Sequence, residues 1–245
     1  MESLETENDF YDEIYEKFYN NDYDSAASIP APGGDDMLQI SELVKTYGSF
    51  IQPYRNAMAL VKVWLENLKR EFEDKYRHNP IHSISNRIKT LSSIAEKLDR
   101  RHIKPSFENA KDHLTDIAGL RVTCYYIQDV YAVAEALKKQ PGTILIKESD
   151  YIKNPKPNGY RTFQMVLGVS LYNAGEYYPV EIQVRTLAMD FWASMEHQLV
   201  YKHDGENKEE MSSQLKEYAD DLYAMELRLS KLYDGAPIEK ENGRP

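Results

Sequence analysis

The sequence predicts an α+β fold: a mixed, mainly antiparallel sheet of about four or five strands, flanked by helices and bracketed by further N- and C-terminal helices. Three observations predict it. Period-2 alternation of apolar and polar residues recurs in three runs between residues 118 and 185. Apolar residues at helical spacing dominate the stretches on either side of that region, from 37 to 77 and from 187 to 233. The chain has 245 residues, 42% of them hydrophobic, enough for one substantial core with an appendage.

Residues 1–36 are an acidic, tyrosine-rich extension that ends in the linker-like run Ser25 to Gly34. Phe10, Ile14 and Phe18, with Tyr11 beside Tyr15, have the spacing of a short amphipathic helix, so the extension is either dispensable or a docking helix or lid. The main domain is expected over 37–235, with a C-terminal tail at 236–245. Leu38, Leu43, Tyr47, Phe50, Tyr54, Met58, Val61, Leu65, Leu68 and Phe72 recur at helical spacing, and Pro53 divides them into two helices or kinks one. Pro80 ends that region, because the residue before a proline is pushed out of the α basin. His78 and His82 lack a partner set at ligand spacing and read as loop or cap residues.

Ser93 and Glu96 have capping-box spacing, which predicts a short helix from Ile94 to Arg101. It would begin beside the cations of Arg87 and Lys89, and a helix N-terminus flanked by cations suits phosphate. A strand over 118–126 sets Leu120, Val122 and Cys124 on one face and Arg121 and Thr123 on the other. An amphipathic helix at 128–139 and a strand at 143–147 follow. The loop from Asp150 to Tyr160 holds Lys153, Lys156 and two prolines, more chemistry than a connection needs. Strands at 162–170 and 177–185 are joined through the hairpin signal Asn173-Ala174-Gly175; the second splits Val180, Ile182 and Val184 from Glu181, Gln183 and Arg185. Helices at 187–202 and 208–233 finish the domain. In the last, Leu215, Tyr218, Leu222, Met225, Leu229 and Leu232 serve either an interface between copies or packing within the domain.

The formal net charge of −10 argues against a protein that coats nucleic acid, which needs a dense basic surface. Local basic clusters remain, at Arg100, Arg101, His102 and Lys104, and at Lys153 and Lys156. The single cysteine, Cys124, excludes an intramolecular disulfide and points to a reducing cytoplasm. No apolar run approaches the roughly 20 residues that a membrane span needs, so no membrane partner is expected.

One greasy face and one face carrying carboxylates and guanidiniums suit a metal-nucleotide site. Five segments in order then carry a resemblance: Arg87-Ile88-Lys89 with Glu96-Lys97-Leu98; Asp116-Ile117-Ala118-Gly119-Leu120-Arg121-Val122; Asp150-Tyr151-Ile152 with Asn158-Gly159-Tyr160-Arg161-Thr162; Glu181-Ile182-Gln183-Val184-Arg185-Thr186; and Met189 to His197. Together, over about residues 79–202, they resemble a RelA/SpoT-type small alarmone synthetase of the GTP pyrophosphokinase family. The resemblance implies a nucleotidyltransferase-like sheet, a homotetramer, and stringent-response alarmone synthesis. In that reaction the β,γ-diphosphate of ATP passes to the 3′-hydroxyl of GDP or GTP, giving AMP and (p)ppGpp.

The same resemblance implies roles. Asp116 and Glu181 would hold Mg²⁺, with Glu181 also accepting the hydroxyl proton. Arg87 and Arg121 would sandwich adenine, while Lys89 and Lys97 neutralise the transferred phosphates. On the acceptor side Tyr160 would stack on the base, with Lys153, Lys156 and Asn158 of its loop nearby and Glu196 reading the guanine edge.

Two departures fall on the acceptor side. Gln164 stands where the family usually has histidine, and Gln198 where it has lysine; neither amide can become cationic. They leave open a toxic synthetase that pyrophosphorylates the tRNA 3′-CCA end and is held in check by an antitoxin, or an adenosine-nucleotide acceptor. A non-catalytic nucleotide sensor fits less well, because two unneutralised carboxylates repel phosphates.

Overall fold

A computed structural model describes residues 34–171, 175–202 and 208–234. The amphipathic run at Phe10–Tyr19, the Asn173-Ala174 turn and the C-terminal tail lie outside the described residues. The first element, α1 (Gly34–Tyr76), is one helix that runs through Pro53 rather than two. Pro53 cannot donate to the Ser49 carbonyl, but Ser49 is exposed, where water serves as donor. The helix buries Leu43, Ile51, Tyr54, Met58, Val61, Leu65 and Leu68 along one stripe. Each such side chain contributes roughly 1.5–3 kcal/mol, enough to hold the helix across the missing bond.

Then follow β1 (Ile81–Ile88), α2 (Leu91–Asp99), α3 (Phe107–His113), β2 (Ala118–Cys124), α4 (Ile127–Lys138), β3 (Thr143–Asp150), β4 (Phe163–Ser170), β5 (Tyr177–Thr186), α5 (Leu187–Lys202) and α6 (Lys208–Asp234). The expected cap is corrected. Thr90, not Ser93, is the N-cap of α2, its hydroxyl accepting from the Ser93 N–H, so the helix begins three residues earlier. Two elements went unpredicted as such, the whole of β1 and the two-turn α3. His78, expected in a loop, sits there with its Nε2 3.0 Å from a buried Asp129 oxygen.

The five strands pair in the order β1-β2-β5-β4-β3. Every pairing is antiparallel except β2 with β5, which is parallel. That makes the sheet mixed and mainly antiparallel, as expected. Leu120, Val122, Cys124, Met165, Leu167, Val169, Val180, Ile182 and Val184 all enter one core cluster with residues of α1 and α4. The opposite face carries two polar rows set by the register. One runs Arg87, Gly119, Glu181, Val166; the next runs Ser85, Arg121, Gln183, Gln164, Ser149.

At the end of β5 the Thr186 hydroxyl accepts the Met189 N–H and turns the chain into α5. The last helix packs on α5 through Leu215 and Ala219 against Trp192, whose Nε1 donates to the Leu215 carbonyl at 2.7 Å. Of the spaced residues on α6, Leu215 is buried, but Tyr218, Met225, Leu229 and Leu232 stay exposed. Among the described residues no helix is long and apolar enough to cross a membrane.

Candidate active site

The site lies on the polar face where β2 and β5 run side by side. Lys89 leaves β1 with its N–H on the Ile117 carbonyl, which brings it beside Asp116 at the entrance to β2. Lys97, in the last turn of α2, also reaches Asp116. Lys89 Nζ lies 3.0 Å and Lys97 Nζ 2.5 Å from Asp116 Oδ2. Burial alone would push the Asp116 carboxyl up, but hydrogen bonds and charge from Lys97 and Lys89 outweigh it and hold the pKa below the ordinary value. Its second oxygen, Oδ1, is buried with no hydrogen-bond partner.

Glu181 stands across the parallel pair, opposite Gly119. Both of its oxygens are held: Gln164 Nε2 donates to Oε1 at 2.6 Å and Gln183 Nε2 to Oε2 at 3.3 Å. The expectation for Gln164 was an acceptor contact; in this structure its amide turns to Glu181. A Cβ on Gly119 would lie 3.8 Å from Arg87 Cγ, so the Arg87 stem passes beside the glycine. Arg87 pairs with Gly119 and Arg121 is two residues on, so the two arginines are diagonal neighbours on one face. Such neighbours stand about 7–8 Å apart.

The loop from Asp150 to Tyr160, expected to meet the acceptor, is built by its own turns and by α6. Asp150 Oδ1 accepts the N–H groups of Ile152 and Lys153, and Asn158 Oδ1 accepts that of Tyr160. Lys156 Nζ lies 4.9 Å from the Tyr160 ring centroid and 5.1 Å from that of Tyr151. Asn158 Nδ2 donates to Glu196 Oε1 at 3.3 Å, tying the loop to α5. Lys153 goes elsewhere: its ammonium lies 3.5 Å from Asp150 and 5.0 Å from the Tyr131 ring centroid on α4. The loop is anchored to α6 by Arg161, which donates to the Ile152 carbonyl and to Asp220, both at 2.8 Å, and stacks on Tyr223. Gly159 has φ +90° and packs directly on Ala219.

Sequence reasoning gave no role to Arg161, Arg185 and Asp190, though all three fall within the matching segments, and missed Asp220. Alternation along β5 does put Arg185 on the polar face with Glu181, which was a usable signal; nothing in the spacing marks Asp190 or Asp220. Cys124 is a buried core thiol whose pKa burial pushes up, so it has no nucleophilic character.

Among the described residues no three His, Cys, Asp or Glu side chains converge on a metal position. A Mg²⁺ site needs fewer, since this ion keeps several waters and is usually held by one or two carboxylates plus substrate phosphates. The orphaned Asp116 Oδ1, together with Glu181 on the neighbouring strand, fits that donor set.

Known proteins bear on this geometry. Residues 86–206 match the family described as "Region found in RelA / SpoT proteins". The GTP pyrophosphokinase YwaC of Bacillus subtilis is 36% identical over 75% of this chain and 89% of its own length. YjbM, a second GTP pyrophosphokinase of that organism, is 35% identical over 77% of this chain and 89% of its own. The crystal structure of the B. subtilis small alarmone synthetase 1 bound to its product pppGpp superimposes with a TM-score of 0.68 at 32% identity, covering 78% of this chain and 97% of that one. With the sheet order and these likenesses in agreement, the chain belongs to the RelA/SpoT-type small alarmone synthetases.

Proposed function

We propose that the protein transfers the β,γ-diphosphate of ATP to the ribose 3′-hydroxyl of GDP or GTP. The observation that carries the proposal is the Asp116 carboxylate, flanked by Lys89 and Lys97 at the entrance to β2, with Glu181 on the adjoining parallel strand β5. The acceptor oxygen forms a bond to the β-phosphorus while the bond from that phosphorus to the α,β-bridging oxygen breaks. AMP leaves with that oxygen, and the hydroxyl proton passes to Glu181, whose carboxylate is held in place by Gln164 and Gln183. Asp116 and Glu181 hold Mg²⁺, which when bound offsets the charge of the transferred phosphates.

Lys89 and Lys97 serve the same phosphates, exchanging part of their contact with Asp116 for phosphate oxygens. Arg87 and Arg121, diagonal neighbours on one face of β1 and β2, take the adenine between their guanidiniums. On the other side Tyr160 stacks on the acceptor base, Asn158 and Glu196 read its edge, and Lys156, beside the Tyr160 ring, meets acceptor phosphates; Lys153, turned to Asp150 and Tyr131, would have to swing from them to join it. Gln164 influences the acceptor through Glu181.

The small alarmone synthetase 1 of B. subtilis was crystallised with pppGpp and with AMPCPP, which supports a shared nucleotide pair. We further propose a cytoplasmic homotetramer, supported by the exposed apolar stripe of Tyr218, Met225, Leu229 and Leu232 on α6. Light scattering on the pure protein giving a monomer mass would refute the tetramer.

The function is tested with ATP labelled in the γ-phosphate, Mg²⁺, and GDP, GTP, ATP or bulk tRNA offered separately, beside Glu181→Gln. Label on GDP or GTP, absent in the variant, is the expected outcome. Label on tRNA alone makes the protein a translation-blocking enzyme instead, with the uncharged Gln164 and Gln198 as the altered acceptor side. Label on ATP alone assigns an adenosine acceptor.

A further inference from the structure

Arg185 is among the largest fully buried side chains of the described structure, 2% exposed, at the rim of a charged site. A buried guanidinium persists only where its donors are engaged, because its desolvation is costly. Its engagements run in three directions. One terminal nitrogen donates to Gln183 Oε1 at 2.6 Å, and Gln183 in turn donates to Glu181. The same nitrogen donates to the Tyr160 hydroxyl at 3.4 Å, and the guanidinium carbon lies 5.7 Å from the Tyr160 ring centroid. The other terminal nitrogen lies 3.4 Å from Asp190 Oδ1, and that same oxygen lies 3.5 Å from Arg121.

These contacts join the three working parts of the proposed reaction. Tyr160 belongs to the acceptor, Glu181 to the proton transfer and Arg121 to the donor adenine. Two contacts are slack. Charge-assisted N–H···O bonds settle at about 2.7–2.9 Å, whereas Asp190 Oδ1 is buried without a hydrogen bond between two arginines at 3.4 and 3.5 Å, and Arg185 Nε is buried without a partner. A guanidinium is rigid and planar, so a displacement at its Tyr160 side is passed on to its Asp190 side.

We infer that Arg185 is a positioning residue that makes donor and acceptor binding cooperative, with Asp190 relaying its placement to Arg121. The inference rests on the donor and acceptor assignments proposed above. Stacking of the acceptor base fixes Tyr160, Arg185 follows, and Asp190 then holds Arg121 flat against adenine. Each nucleotide thereby removes an ordering cost from the other's binding, and the effect is reciprocal.

Calorimetric titration of the full chain with AMPCPP and Mg²⁺, with and without saturating GDP, tests this. The α,β-methylene group blocks the bond that breaks, so both ligands stay intact. Wild type, Arg185→Lys and Asp190→Asn are compared. In wild type GDP should tighten AMPCPP binding by a factor within the roughly 5- to 150-fold range of site-to-site coupling. In both variants that factor should fall to within about twofold of none, while each nucleotide still binds alone and the Asp190→Asn protein melts as wild type does. A merely structural role would lower both affinities and leave the factor unchanged. An undiminished factor in Asp190→Asn, whatever Arg185→Lys does, overturns the inference; so does a wild type that binds both nucleotides without coupling. A wild type that binds neither nucleotide overturns the proposed function first and the inference with it, and is told apart by the absence of label transfer.

Discussion

Replacing Gly159 by alanine tests how α6 supports the acceptor loop. A Cβ at this position would stand 2.7 Å from Ala219 Cβ and 3.1 Å from Lys216 Cα, both on α6, and the backbone there has φ +90°. Holding an L-residue in such a sparsely populated conformation costs about 1–3 kcal/mol, and forcing a methyl into a packed contact about 1–3 kcal/mol more. A total near 4 kcal/mol lowers the melting temperature by about 8–16 °C in a domain of this size, and the fold survives if its stability lies within the usual ~5–15 kcal/mol. The loop and α6 must part, which displaces Asn158 and Tyr160. Affinity for GDP should therefore fall about tenfold, while AMPCPP alone binds within about twofold of wild type. Differential scanning fluorimetry and calorimetric titration read the two effects. Adding Ala219→Gly should recover part of the lost stability, since it removes the 2.7 Å contact but neither the one at Lys216 nor the backbone strain. Gly119→Ala is the control: its Cβ meets nothing nearer than 3.8 Å, so melting should shift by less than about 2 °C. A Gly159→Ala protein that melts within 2 °C of wild type, with GDP affinity unchanged, would refute the reasoning.

Two further changes act elsewhere in the fold. Glu226 on α6, 8% exposed, has its carboxyl pushed up by burial to about 7 from 4.5, against the opposing pull of the Thr186 hydroxyl and the Arg161 charge. Below about pH 4.5 both folded and unfolded chains keep this proton; between there and about 7 only the folded chain does, so stability falls with rising pH, by about 3 kcal/mol in full above 7. Glu226→Gln should thus melt several degrees above wild type at pH 8 and converge with it near pH 5; a gap that does not vary with pH would count against the buried proton. Gly48 lies inside α1 with nothing within 4 Å of an added Cβ. Gly48→Ala should add about 0.5–1 kcal/mol, seen as a rise of about 1–4 °C with label transfer unaltered; a lowered melting temperature would show that the position is not open.

The strands with one fully apolar face were legible because burial of that face enforces period 2, as in Val180, Ile182 and Val184. β1 was not, because Ile81, Ile84 and Ile88 break the alternation and a register shift falls between Ile81 and Ser83. Its place at the sheet edge relaxes the demand for a continuous apolar face. α3 is too short to leave a periodic signature. At the site, Asp116 and Glu181 were recognisable from motifs; Asp116 lies at the entrance to β2 and Glu181 on the adjoining strand β5. The links between motifs were not, since Asp190 meets Arg185 and Arg121 only because Thr186 turns α5 back over the face that β5 presents. Gln164 illustrates the same limit. Its position was identified, but its hydrogen bond to Glu181 depends on the register of β4 against β5, which local pattern does not encode.

The single parallel pairing, β2 with β5, has a consequence for how the protein comes into being. Antiparallel β3 and β4 close over a short stretch of chain, but Ala118 meets Val180 across about sixty residues, a contact whose loop entropy must be met before it returns anything. Asp116 stands just before β2 at this seam, and Glu181 lies within it, opposite Gly119. During synthesis, a chain still lacking β5 therefore carries the lysine-bound aspartate without Glu181. On the proposed mechanism the proton acceptor arrives only with β5, so copies that lack this strand cannot transfer diphosphate from ATP.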